Sequence, residues 1–159
     1  MIKHSMLALD EQKYVGINNN LLFDEHDNID FCKLHKNVLE AKINDIDYDE
    51  HFMALDTNFT KKSFDYIPLV PVRSFDNNNN FIHFTREKGL YYAFKVVQKD
   101  CNPSWFKEIF AYIKENDLII EHTGYDLEYY DQDYLTRISK ADSKLEEEVF
   151  MILFKKKDL

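Results

Sequence analysis

Glu148 stands at the mouth of six consecutive apolar residues, Val149-Phe150-Met151-Ile152-Leu153-Phe154. A carboxylate carried into such surroundings without a partner is costly. In a strand, Glu148, Phe150, Ile152 and Phe154 share one face, and Val149, Met151 and Leu153 share the other. Both faces are apolar, so the strand belongs in the interior of a sheet. Glu148 then either frays beside Glu146 and Glu147 or points into a partly buried cleft, and spacing alone leaves both readings open. In a cleft, its chemistry would be capture of a cation, strengthened by desolvation and by the faces of aromatic rings. Rings are abundant, with 13 Phe and 10 Tyr in 159 residues. Most suit a Phe-rich core. Tyrosines tend toward pocket walls or surface edges, because a buried phenol needs a hydrogen-bond partner.

Other chemistries find little support. The histidines His4, His26, His35, His51, His83 and His122 show no paired ligand spacing, so no metal is expected. Three glycines, Gly16, Gly89 and Gly124, cannot build a phosphate-cradling loop, and no Cys or Ser carries a nucleophile signature. No cofactor is expected. Asp24-Glu25-His26-Asp27 reads as a solvated loop, and Cys32 and Cys101 as ordinary reduced residues. A net charge of −9 repels phosphates, which disfavours direct nucleic acid binding. The sequence has neither a membrane-spanning run nor a signal-peptide core, which points to the cytoplasm.

The elements that must position these residues follow from periodicity and punctuation. A strand is expected over residues 6–18, then a helix over 30–43, capped by Asp30, with Phe31, Leu34, Val38 and Ala41 at helical spacing. Strands follow at 51–58 and 64–75, the second interrupted by Pro68 and Pro71, which belong at an edge or bulge. Asp76 with the asparagines of 77–80 breaks the chain at its midpoint. The order then repeats: a strand or hairpin over 81–97, a helix over 103–116 opened by Asn102 and Pro103, and strands at 126–130 and 148–154. The repeat predicts a single α+β domain over 1–159. It comprises a pseudo-two-fold pair of strand-helix-strand-strand modules, about 1–76 and 81–157, forming an antiparallel sheet with helices on one face.

Three segments carry a family likeness. Glu87-Lys88-Gly89-Leu90-Tyr91-Tyr92-Ala93-Phe94 resembles a turn-glycine followed by a Tyr-x-x-Phe strand. The helix from Trp105 leading into Glu115-Asn116-Asp117-Leu118 resembles a helix exit through an acid and Asn-Gly. Asp126-Leu127-Glu128-Tyr129-Tyr130, followed by Glu148-Val149-Phe150-Met151-Ile152-Leu153, is similar to a Phe-Glu-x-Tyr strand with a Glu-Ile-Tyr-Ile-Pro-Ile ending. Together they resemble the GyrI-like effector-binding family, the multidrug-sensing domain of many bacterial regulators, over residues 81–154. The sequence departs from that pattern at Ile152, where proline is usual, and at Asp117, where glycine is usual.

The resemblance implies a ligand cleft on the face of the sheet opposite the helices. Lipophilic cations would bind there between aromatic rings above a buried acid. By motif position that acid is Glu148 and the phenols are Tyr91 and Tyr130, with Trp105 and Phe150 completing the ligand-binding set. The protein is then expected to be a free-standing sensor or scavenger of hydrophobic, often cationic molecules. Two alternatives stay open: a hydrolase of electrophilic cyclopropane-type toxins using Glu148 and Tyr130, and an interaction protein that inhibits a partner such as DNA gyrase. Self-association as a homodimer is compatible with each.

Overall fold

A computed structural model of the chain describes residues 1–140 and 147–158. Nine strands form one antiparallel sheet: β1 (Ser5–Leu9), β2 (Gln12–Gly16), β3 (Asn19–Leu22), β4 (Met53–Thr57), β5 (Ser63–Val72), β6 (Ile82–Arg86), β7 (Gly89–Val97), β8 (Asp126–Tyr129) and β9 (Val149–Lys155). Their order is β1-β7-β9-β8-β4-β5-β2-β6, with β3 also paired to β5. The triplet β7-β9-β8 from the second half of the chain answers β2-β5-β4 from the first. Strands β1 and β6 are exchanged, each pairing with the opposite half. This is the expected pseudo-two-fold α+β fold.

The expected strand over 6–18 and the expected strand or hairpin over 81–97 are each divided in two. Residues 6–18 become β1 and β2, which turn at Asp10-Glu11, and residues 81–97 become β6 and β7, which turn at Glu87-Lys88. Neither pair is a hairpin. Strand β1 joins β7 at Leu9↔Gly89, and β2 joins β6 at Gln12↔Arg86. Two short links thus tie opposite ends of the strand order together, and the sheet must curl into a half-barrel.

Both prolines lie inside β5, but where its ladders are interrupted. Pro71 accepts from Asp47 N at 2.9 Å, so its missing N–H also faces a loop rather than β2. Pro68 opposes Ala54, and its carbonyl lies against Gly16 between the β3 and β2 pairings. A Cβ on Gly16 would come within 2.4 Å of that oxygen, so only glycine fits.

Helix α1 (Phe31–Glu40) is capped as expected, with Asp30 Oδ1 accepting from Lys33 N at 3.1 Å. It ends three residues short of 43. Helix α2 (Pro103–Glu115) begins with Asn102 Oδ1 accepting from Trp105 N at 3.0 Å. At its exit Asp117 takes φ 53°, the left-handed conformation that glycine adopts freely and Asp tolerates. That explains how the sequence does without a glycine there. A short helix, α3 (Tyr134–Ile138), was not expected. Residues 23–28 form a turn of 3₁₀ helix instead of a loop. Among the described residues no helix is long and apolar enough to cross a membrane.

All three helices pack on the same face of the sheet. Phe31, Val38, Ile109, Ile113, Tyr134 and Ile138 meet Tyr66, Tyr92, Phe94, Tyr130, Phe150 and Ile152 there. The strand residues between them point the other way and form a second core of Tyr14, Met53, Leu55, Leu69, Tyr91, Leu127 and Tyr129.

Candidate functional site

A cavity of about 940 Å³ opens on the helix-bearing face, within the size range of small-molecule sites. This corrects the expectation of a cleft on the other face, which the second core fills as the sheet curls. Seven phenylalanines contribute to the wall, among them Phe31 of α1, Phe64 of β5, Phe106 and Phe110 of α2 and Phe154 of β9. Phe64 stacks on Phe23 at 5.1 Å, and Phe110 meets Phe154 edge-on at 5.5 Å. Polar residues enter chiefly from the sheet and the loop before β8: Asp56, Asp126, Glu128, Gln98, Glu121 and His122.

Three of the acids come from the adjoining strands β4 and β8, where Asp56 is paired with Asp126 and Ala54 with Glu128. Alternation puts all three on the cavity face, since Leu55 and Leu127 belong to the opposite core. Asp56 and Glu128 are buried, Asp126 half-buried. Burial raises the Asp56 carboxyl well above its usual range, and the neighbouring Glu128, to which it is hydrogen-bonded, and Asp126 raise it further. Asp126 is pushed up to about 7, by burial first and Glu128 second. None of the ion pairs among the described residues involves these three acids. The basic lining residues, Lys107 and His122, are exposed. No three His, Cys, Asp or Glu side chains among the described residues are arranged to hold a metal ion.

A neutral network backs the acids. Tyr130 Oη donates to Glu128 Oε1 at 2.6 Å, and Tyr66 Oη lies 3.4 Å from the same oxygen. His35 Nε2 is hydrogen-bonded to Tyr66 Oη at 2.7 Å. Burial lowers His35 to about 3, so its ring is neutral, and burial also holds the Tyr66 and Tyr130 phenols protonated. A wall that supplies only neutral donors orients Glu128 without bringing a positive charge to it.

The residues singled out from sequence lie elsewhere, and none of the five lines this cavity. The Glu148 carboxylate is taken by Arg137 of α3, whose Nε donates to Oε2 at 3.0 Å and whose Nη2 donates to Oε1. Tyr91 faces the opposite core and donates to the Glu87 carbonyl at 2.6 Å, because Tyr92 takes the helix side. Tyr130 stands behind Glu128 as its donor. Phe150 packs against Tyr130, with ring centroids 5.2 Å apart, inside the core. Trp105 contributes to a separate hollow of about 450 Å³ beside the N-terminal strand. Glu146 lies outside the described residues.

Two signals pointed to the other acids. Asp126-x-Glu128 places two carboxyls on one strand face, and Glu128 is itself the acid of the Phe-Glu-x-Tyr likeness. Asp56 carried no signal beyond its position two residues after Ala54. The role of Arg137 depended on an unforeseen helix.

No family model and no curated protein matches this sequence. Solved structures do match its fold. The structure of SAV2435 bound to tetraphenylphosphonium superposes with a TM-score of 0.64 at 13% identity, covering 98% of this chain and 94% of that one. The EcmrR C-terminal domain gives 0.63 at 14% identity over 100% and 99%. In an EcmrR–DNA complex the matching part is 58% of the EcmrR chain, at a TM-score of 0.63 and 15% identity, with 99% of this chain covered. An integron cassette protein from Vibrio cholerae gives 0.53 at 12% identity over 97% and 95%.

Proposed function

Because its fold is that of the GyrI-like effector-binding domains, we propose that this chain binds hydrophobic, cationic small molecules in the cavity walled by α2 and the sheet, as a sensor or scavenger of drugs or toxins. The observation that carries this reading is the set Asp56, Asp126 and Glu128, held on an aromatic wall with no ion-pair partner among the described residues. Carboxyl groups held in an apolar wall are costly to ionise when the cavity is empty, and a cation beside them offsets that cost. The phenylalanine faces add attraction of their own for a positive ligand, about 0.5 to 2 kcal/mol each. Breadth of selection follows, since flat rings and carboxylates recognise charge and planarity more than outline.

SAV2435, which shares the fold, is seen with tetraphenylphosphonium, and that cation is a suitable probe. Calorimetric titration should give micromolar affinity, about −8 kcal/mol. Tetraphenylborate, of the same shape and opposite charge, should bind far more weakly. Equal affinity for the two would overturn the reading. Ligand recovered unchanged after long incubation separates binding from the hydrolase alternative, which requires turnover.

A further inference from the structure

Strand β1 leaves one edge of the sheet open. It pairs with β7 alone, and among the described residues no backbone group of Ser5–Leu9 has a partner off that ladder. Edge strands are commonly guarded by charges, proline or a bulge against pairing with another chain. Ser-Met-Leu-Ala-Leu has no charge and no proline, and its register with β7 runs without a bulge. Met6, 46% exposed, and Ala8 stand in the open on the helix-bearing face beside Leu90. The charges lie beyond the ends of the strand, Lys3 before it and Asp10 and Glu11 after it. None of the ion pairs among the described residues involves these three. At the other edge of the sheet, β6 carries His83 and Arg86 within its five residues.

We propose that β1 pairs antiparallel with β1 of a second copy of this chain, about a two-fold axis through Leu7. In that register Leu7 meets its own counterpart, Met6 meets Ala8 and Ser5 meets Leu9. Continued outward, Lys3 of each copy comes opposite Glu11 of the other on one face, and the symmetry makes that ion pair twice. His4, beside Lys3, is already engaged by Tyr112 Oη at 2.8 Å. Parallel in-register pairing would set Lys3 against Lys3 and Glu11 against Glu11. Pairing of β1 with β6 of another copy would leave edges free at both ends and build open chains instead of a closed dimer. No residue of β1 lines the cavity, so the pairing does not depend on the binding function proposed above.

The test is sedimentation of the full chain across about 1 to 500 µM, a range suited to a small interface, in about 0.15 M salt to screen the −9 on each copy. The mass should rise from one chain to two and stop there. Lys3→Glu should weaken association about fivefold or more, because both symmetric contacts turn from attraction to repulsion. Glu11→Lys should do the same, and the two changes together should restore affinity to within about twofold of native. Lys3 and Glu11 are exposed, so these variants keep their fold, which thermal melts check. Met6→Lys combined with Ala8→Lys, both at exposed positions, sets like charges directly opposite one another and should abolish pairing. A chain that stays monomeric throughout, or grows beyond two copies, overturns the proposal. So does a dimer indifferent to the paired lysines, or one that the double charge exchange fails to restore.

Discussion

Asp56 and Asp126 are register partners in the β4–β8 ladder at the centre of the sheet, one acid from each half of the chain. Like charges directly opposite one another destabilise a sheet. Here the cost is moderated by protons: Asp56 is held well above its usual range and hydrogen-bonded to Glu128, and Asp126 titrates near 7. A cation entering the cavity would replace those protons with its own charge.

Removing an acid should therefore weaken cation binding without harming the fold. For Asp56→Asn and Glu128→Gln, tetraphenylphosphonium affinity should fall about tenfold to a hundredfold, or ~1.4 to 2.8 kcal/mol. The thermal midpoint should hold or rise, because a costly buried carboxyl is gone. Calorimetry and melting curves check both, and undiminished affinity would count against the cavity.

Affinity for cations should rise with pH. Protonated Asp126 repels nothing but attracts nothing, so binding that requires its charge strengthens by up to about tenfold per unit below about 7 and flattens above it. Stability of the empty protein runs the other way. A carboxyl whose folded value is raised binds more protons folded than unfolded between its ordinary value, 3.8, and about 7, so its contribution is lost as pH climbs through that window. Asp126→Asn should flatten both profiles, which denaturant titrations and calorimetry across pH would detect.

Two stacked tyrosines should respond differently to loss of a hydroxyl. The rings of Tyr130 and Tyr134 lie 4.1 Å apart. Tyr130 donates to Glu128, whereas Tyr134 Oη is buried with no hydrogen-bond partner among the described residues. Tyr130→Phe should cost about 1 to 3 kcal/mol by leaving a buried acid short of a donor, and Tyr134→Phe should be neutral or stabilising. Chemical denaturation of the two variants measures the contrast.

Glu148→Gln should act on stability rather than on ligand. Its pairing with Arg137 anchors α3 to the start of β9, but the Arg137 side chain is 35% exposed. Solvent screening therefore limits the loss to about 1 kcal/mol. Tetraphenylphosphonium affinity should stay within about twofold of native. A large loss of affinity would return Glu148 to the ligand site.

Helices α1 and α2, the midpoint break and every strand but β3 were legible because caps, prolines and periodicity are local signals; β3 (Asn19–Leu22) lies outside every expected strand. The division of 6–18 and the exchanged pairing of β1 and β6 were not, because each segment keeps its strand pattern while changing neighbours, and a ladder partner is a property of the other strand. The candidate acids divide the same way. Glu148 drew notice through the apolar run beside it, yet its partner Arg137 is brought there by tertiary contact. Asp56 and Glu128 looked like ordinary strand acids until β4 and β8 were set side by side.

The exchange of β1 and β6 means that neither half of this chain can show its cavity alone: Asp56 arrives from one side of the 77–80 turn, Asp126 and Glu128 from the other, and each half borrows an edge strand. A ligand seated on those acids would touch both halves at once and act as a clasp between them. Cleaving the backbone at that turn should leave two fragments whose cohesion depends on occupancy, parting readily when empty and holding together when filled.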